Sequence, residues 1–220
     1  MVAHCLFEQS GTFKNEFKKM GITAYDYDIL NDFGETDNVI DLYEEINKSY
    51  GGGQSIFDSI KNDDIVMAFF PCIRFEDQIL LWFQGNAKQQ KSWSDIRKLE
   101  KCLEMHEQLH TNYGLITKLA LICLKRGIKL IIENPYSEQH YLRRYWAIKA
   151  KYIDYDRRAA GDYFKKPTQY WFINCEPKHN FIFEGVDIKP TKKIAKTTNI
   201  VERSMISKDY ANRFIREFIL

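Results

Sequence analysis

The stretch IVMAFFPC, residues 65–72, governs how the rest of the chain reads. Its apolar residues run together without polar alternation. That pattern describes a strand covered on both faces, as in a parallel sheet with helices above and below. Pro71 stops the run, and Cys72 follows it. In an open parallel sheet, ligands bind outside the carboxyl ends of the strands. A thiol at this point is therefore either an exposed nucleophile in a crevice or one more buried core cysteine.

Working outward, the same pattern recurs. Residues 2–8 (VAHCLFE) read as a buried strand, followed by a turn and an amphipathic helix closed by Gly21. Residues 23–29 (TAYDYDI) and 38–42 (NVIDL) read as short strands, with helix at 43–50 and a short helix around 55–61. Residues 94–126 carry Leu99, Leu103, His106, Leu109 and Leu119 near helical spacing, a stripe that reads as core packing; Asn112-Tyr113-Gly114 is a candidate interruption. A fifth strand, GIKLIIENP, ends at Pro135, and a helix is expected around 138–147. KYIDYDRR and TQYWFINCE read as two more strands, and a closing helix begins after Ser207, a suitable cap. Strands alternating with helices predict an α/β fold: a mostly parallel seven-stranded sheet flanked by helices, in one domain spanning residues 1–220.

Composition narrows the function classes. The net charge is only +2, so any nucleic-acid contact must come from a local patch. Five cysteines without a C-x-x-C spacing argue against a disulfide framework and a structural zinc site, and for a reduced, cytoplasmic chain. His106 and His110 lie one helical turn apart but lack a third ligand, so no metal is expected. The amino terminus lacks a signal-peptide pattern, and no apolar run reaches the roughly 18 residues a membrane span needs.

Polar residues just after strands are the site candidates. Gly11, in Glu8-Gln9-Ser10-Gly11-Thr12, frees the backbone for a ligand at a helix amino terminus, or simply makes a turn. The acids of Asp26-Tyr27-Asp28 either bind a ribose diol or lie in a solvated turn, and Asp41 is a weaker acid of the same kind. Glu133 leaves a buried strand, so it is either a proton donor with a raised pKa or a structural carboxylate bonded to loop amides. With the fourth and fifth strands adjacent, Cys72 and Glu133 face one cavity, and a nucleophile beside an acid is more specific than either alone.

These motifs, in this order over nearly the whole chain, resemble the DNA cytosine-5 methyltransferase family, and its short phage-type members in particular. CLFEQSGTFKNEFKKMG looks like the loop that cradles S-adenosylmethionine, YDYD like its ribose-binding motif, and VIDL like the segment whose acid faces the adenine. FFPC resembles the catalytic Pro-Cys motif and IIENP the Glu-Asn motif. GDYFKKPTQYWF is similar to the K-P-T-x-x-W strand, and ERSMISKDYANRFIREFI to the closing segment.

The resemblance implies a Rossmann-like S-adenosylmethionine-dependent fold. It implies cofactor contacts from Phe7, Glu8, Ser10, Gly11, Thr12, Asp26, Tyr27, Asp41, Leu42 and Pro71. Cys72 would attack carbon 6 of a cytosine flipped from DNA, Glu133 would protonate ring nitrogen 3, and Arg157 or Arg158 would contact the ring's oxygen 2. Asn134, Pro135, Lys166 and Thr168 would shape the substrate pocket.

The sequence departs from the family pattern at Cys5 and Gln9 in the opening loop, and at Ile73 and Glu76, where Gln and Ser usually follow the Pro-Cys. Arg74 is a candidate for lowering the thiol pKa, or a solvated loop arginine. In place of a large target-recognition region stands a short basic stretch, about 177–203, with Lys178, Lys189, Lys192, Lys193, Lys196 and Arg203 near Phe181 and Phe183. Two other readings stay open. One is a non-catalytic nucleic-acid or partner-binding protein on this scaffold; the other is a methyltransferase acting on RNA or a free pyrimidine nucleotide.

Overall fold

The computed structural model describes residues 1–76, 79–186, 189–190, 192 and 200–220. Its strands are β1 (Ala3–Leu6), β2 (Ala24–Asp28), β3 (Asn38–Val39), β4 (Ile65–Ala68), β5 (Lys129–Pro135), β6 (Tyr152–Asp154) and β7 (Thr168–Ile173). They form one seven-stranded sheet in the order β3-β2-β1-β4-β5-β7-β6. The pairs from β3 through β5 are parallel, and β7 runs antiparallel to both β5 and β6. The chain is therefore α/β with a mostly parallel sheet flanked by helices.

Side-chain alternation divides the core into two layers. Leu6, Val66, Ala68, Leu130, Ile132 and Trp171 face one layer, shared with α2 (Leu42–Tyr50) and α4 (Asp95–Arg126). Cys5, Ile65, Met67, Ile131, Tyr170 and Phe172 face the other, against α1 (Thr12–Lys19) and α7 (Lys208–Phe214), which follows a short α6 (Ile200–Ser204). Both faces of β4 are buried, which is why its sequence shows no polar alternation. Ser207 caps α7 by accepting from the Tyr210 amide at 3.2 Å, and a π-helical turn, Ile215–Ile219, continues it.

Several expectations change in detail. The third strand is only two residues long, because Asp41 turns out of it to cap α2, accepting from the amides of Tyr43 and Glu44. The helix expected at 138–147 is a short α5, Tyr141–Tyr145. α4 runs unbroken through Asn112-Tyr113-Gly114. The apolar stripe on α4 is not core throughout: Leu99 is 70% and Leu103 62% exposed, whereas Leu109 and Leu119 are buried. At about 1.5 Å per residue, so long a helix reaches past strands of four to seven residues, and none of its first residues, 95–104, is buried. There α3 (Leu80–Phe83) packs on it, with His106 against the Phe83 ring at 4.6 Å. Lys193 and Lys196 lie outside the described residues. Among those described, no helix is long and apolar enough to cross a membrane.

Candidate active site

The strand order reverses between β1 and β4, since the chain proceeds outward from β1 in one direction and from β4 in the other. Two neighbouring cavities open at the carboxyl ends of these strands, where ligands bind in open α/β sheets. The first, about 250 Å³, is lined by Phe7, Glu8, Gln9, Ser10 and Thr12 after β1, by Pro71 and Cys72 after β4, and by Glu133, Pro135 and Lys166. Val201 and Ser204–Ile206 close it from the last segment of the chain. The second, about 380 Å³, is lined by Ile29, Leu30, Asp41, Leu42 and Tyr43. Phe7, Asp28, Phe69 and Pro71 line both, so the two form one crevice.

Cys72 lines the first cavity from a turn closed by the Phe75 amide on the Cys72 carbonyl at 2.8 Å; α5 is anchored on the same turn through the Tyr141 amide and the Phe75 carbonyl. Its Sγ donates to Glu76 Oε1 at 3.1 Å. Burial pushes the Cys72 thiol pKa up, the Glu76 carboxylate pushes it further, and Lys166 opposes both. Arg74 is not among the leading influences on this thiol; its Nε donates to Gln108 on α4 at 2.7 Å. Glu133 is 8% exposed. Burial raises its pKa, while Lys166 and Arg157 pull it down and Glu76 adds to the rise. The crevice thus joins a thiol to a carboxyl group biased toward its protonated form.

Glu8 reaches forward to cap α1. Its carboxylate accepts from the amides of Phe13 at 2.7 Å and Lys14 at 3.3 Å. Burial raises its pKa to about 7, against the lowering effect of those two amides. The amino terminus of α1, where an anionic ligand group would otherwise dock, is occupied by the protein's own carboxyl group.

Other residues expected at the site lie elsewhere. Gly11 does not open the backbone to a ligand. It has φ +63°, and a Cβ there would meet Glu35 Oε2 at 3.0 Å, so the glycine makes room for the 31–37 loop. Asp26 has no exposed surface and is paired with Lys14 Nζ at 2.9 Å under α1; Asp28, two residues further along, reaches the crevice. Tyr27 is a core residue, its hydroxyl 2.9 Å from His4 Nδ1.

Arg157 is fully buried, paired with Asp162 and lying over the Tyr210 ring, outside the residues lining the cavity. Arg158 pairs with Asp156, also away from it. Thr168 is buried, bonding the Lys166 carbonyl at 3.0 Å. Asn134 is a buried strut: its Nδ2 donates to the carbonyls of Phe70 at 2.8 Å and Glu133 at 2.7 Å, and its Oδ1 faces His140 Nε2 at 3.2 Å. Leu42 belongs to the core and touches only the second cavity, whose mouth Asp41 joins while capping α2.

Among the cavity residues, Gln9 and Phe69 stand inside motifs without an assigned role, and Asp28 is the acid of its pair that reaches the crevice. Each lies at the end of a strand or in the loop just after one, which is the signal that marks them. In the short basic stretch, Lys189 pairs with Asp209 and Lys192 with Glu202, both beside the Tyr163 ring, while Phe181 and Phe183 are exposed. No group of three or more potential metal ligands occurs among the described residues. No protein-family model matches the chain, and a search of curated proteins finds no relative.

Proposed function

We propose that this protein is a methyltransferase that uses S-adenosylmethionine to methylate carbon 5 of cytosine in DNA. The observation that carries the proposal is that Cys72 and Glu133 line one cavity at the switch point of the sheet. Motif order supplies the substrate class, and a base held in a duplex must be flipped out to enter such a cavity.

Cys72 Sγ is the nucleophile toward ring carbon 6. Glu133 carries the proton that ring nitrogen 3 receives as the sulfur–carbon bond forms, so that no localised anion builds up on the ring. Burial, which raises the Glu133 pKa, keeps that proton available near neutral pH. Lys166, beside both groups, limits the rise for each. Asn134 holds the Phe70 carbonyl against β5 and so fixes the loop carrying Cys72 relative to Glu133.

The crevice fits the cofactor through its charge and shape. Asp28 and Asp41 offer acceptors at the ends of β2 and β3, and Phe7, Ile29 and Leu30 give an apolar wall for a purine. Asp28 faces the cavity as an acid, suited to a ligand that carries positive charge. When bound, the cofactor supplies an electrophilic methyl group on a sulfonium.

The test is covalent trapping. DNA containing 5-fluorocytosine, incubated with the protein and methyl-labelled cofactor, is expected to give a denaturation-resistant adduct, because fluorine cannot leave as a proton does. The adduct should vanish in Cys72→Ala. Absence of an adduct with the wild type, together with no cofactor binding by calorimetry, rejects the assignment. Cofactor binding without a DNA adduct redirects it to RNA or a free pyrimidine nucleotide.

A further inference from the structure

We propose that Glu76 is the base that takes the Cys72 proton as the sulfur attacks. The proposal rests on the methyltransferase reading for its electrophile, but its geometry stands apart from it. Glu76 Oε1 is the acceptor of the Cys72 Sγ–H at 3.1 Å, within the reach a proton acceptor needs. The turn that brings them together is anchored twice, by the Phe75 amide on the Cys72 carbonyl and by the Tyr141 amide on the Phe75 carbonyl, each at 2.8 Å. Glu76 is half-buried, behind Cys72 as seen from the crevice, and lines a separate small cavity with Arg74, Ile79 and Tyr141.

The other ionisable groups acting on the thiol are Lys166 and Glu133. Lys166, as a cation, has no lone pair for a proton. Glu133 is the more buried carboxyl, held toward its protonated form, and serves the ring nitrogen. Burial and the two carboxylates disfavour a free thiolate in the resting protein, so attack requires the proton to leave as the new bond forms. In that step the S–H bond breaks, an O–H bond forms on Glu76, and the sulfur electron pair makes the bond to carbon 6. When the adduct collapses, the sulfur recovers its pair and the proton returns from Glu76. The usual family residue at this position, a serine, cannot accept a proton in this way; the acid belongs to this chain.

Iodoacetamide tests this without DNA or cofactor, since it takes the same sulfur electron pair and releases the same proton. Alkylation of the Cys72 peptide is followed by mass spectrometry, which separates it from Cys102 and Cys175. In Glu76→Gln, alkylation at pH 7 is expected to slow by about tenfold or more, within the range general bases contribute. Its rate should then rise with pH in step with thiolate formation. Glu76→Asp, which keeps a carboxylate on a shorter arm, should recover part of the loss. An unchanged or faster rate in Glu76→Gln overturns the proposal, because a carboxylate that merely repels a thiolate accelerates the reaction when removed. Either outcome leaves the trapping experiment on the wild type to judge the methyltransferase reading separately.

Discussion

Asn134→Ala should destabilise the protein strongly while also disabling the nucleophile. The side chain has no exposed surface. Its Nδ2 faces two carbonyls, Phe70 and Glu133, so nitrogen rather than oxygen must occupy that position. Its Oδ1 is then the acceptor, and His140 Nε2 must be the donor. Burial lowers the His140 pKa to about 4, so the ring is neutral at pH 7 with its single proton on Nε2. Its Nδ1 already lacks a partner. Alanine strips the Phe70 carbonyl of this donor and leaves the His140 N–H unpaired. At about 1–3 kcal/mol for each unsatisfied buried group, the loss is roughly 2–6 kcal/mol. For a chain of this size that lowers Tm by roughly 4–24 °C. Asn134→Asp keeps the acceptor for His140 but loses the donor to Phe70 and buries a charge, so it should do no better. Thermal melts by circular dichroism read the stability. Trapping on 5-fluorocytosine DNA, at a temperature where the variant is folded, reads the displacement of Cys72. A Tm within about 2 °C of wild type would refute the strut and return Asn134 to the substrate pocket.

Glu133→Gln keeps the shape of the side chain but removes the proton; methyl transfer to DNA is expected to fall by about 10²–10⁴-fold. In the wild type the same step should fade as pH rises through the raised Glu133 pKa, a slope that a pH profile of the labelled-methyl assay detects. Glu8 is expected to make stability pH-dependent. Its folded pKa of about 7 exceeds the ordinary 4.5, so between those values the folded state binds more protons than the unfolded one, and stability falls as pH rises. The full effect is on the order of 3 kcal/mol, read by urea melts across pH 4.5–8, and Glu8→Gln should remove that component of the slope. Lys14→Met leaves Asp26 buried without its cation and should cost about 3–5 kcal/mol in the same assay.

What the sequence disclosed and what it concealed divide along a physical line. β4 and β5 were legible because strands buried on both faces need continuous apolar runs, and Pro71 and Pro135 mark where each run gives way to the crevice. Placing Cys72 and Glu133 there needed only the adjacency of those strands. Asp26 and Asp28 look equivalent in sequence. They stand two residues apart, roughly 6–7 Å along the strand, and that step separates a site beneath α1 from one at the crevice. The distinction is made by Lys14, a partner from another element that no local pattern announces. Glu8 is similar: it caps α1 from a position before Gly11, where the usual capping spacing does not look. Periodicity found α4 but could not tell which part of its apolar stripe has the sheet behind it.

Burial also explains how carboxyl groups at one thiol can hold opposite roles. Glu133 lies at the end of a strand covered on both faces and is 8% exposed, so desolvation opposes its charge. Glu76 lies on the turn after Cys72, half-buried, with Oε1 placed to accept from the thiol. Its negative charge raises the pKa of Glu133 as well as that of the thiol. Removing it should therefore take away the base and also leave less of Glu133 carrying its proton, while a change at Glu133 alone leaves the Cys72–Glu76 hydrogen bond in place. That asymmetry gives the two variants different signatures: Glu76→Gln slows both alkylation and methyl transfer, whereas Glu133→Gln slows methyl transfer and leaves the alkylation rate of Cys72 close to wild type. If Glu133→Gln slowed alkylation as much as Glu76→Gln, the division of labour between the two carboxyl groups would be wrong.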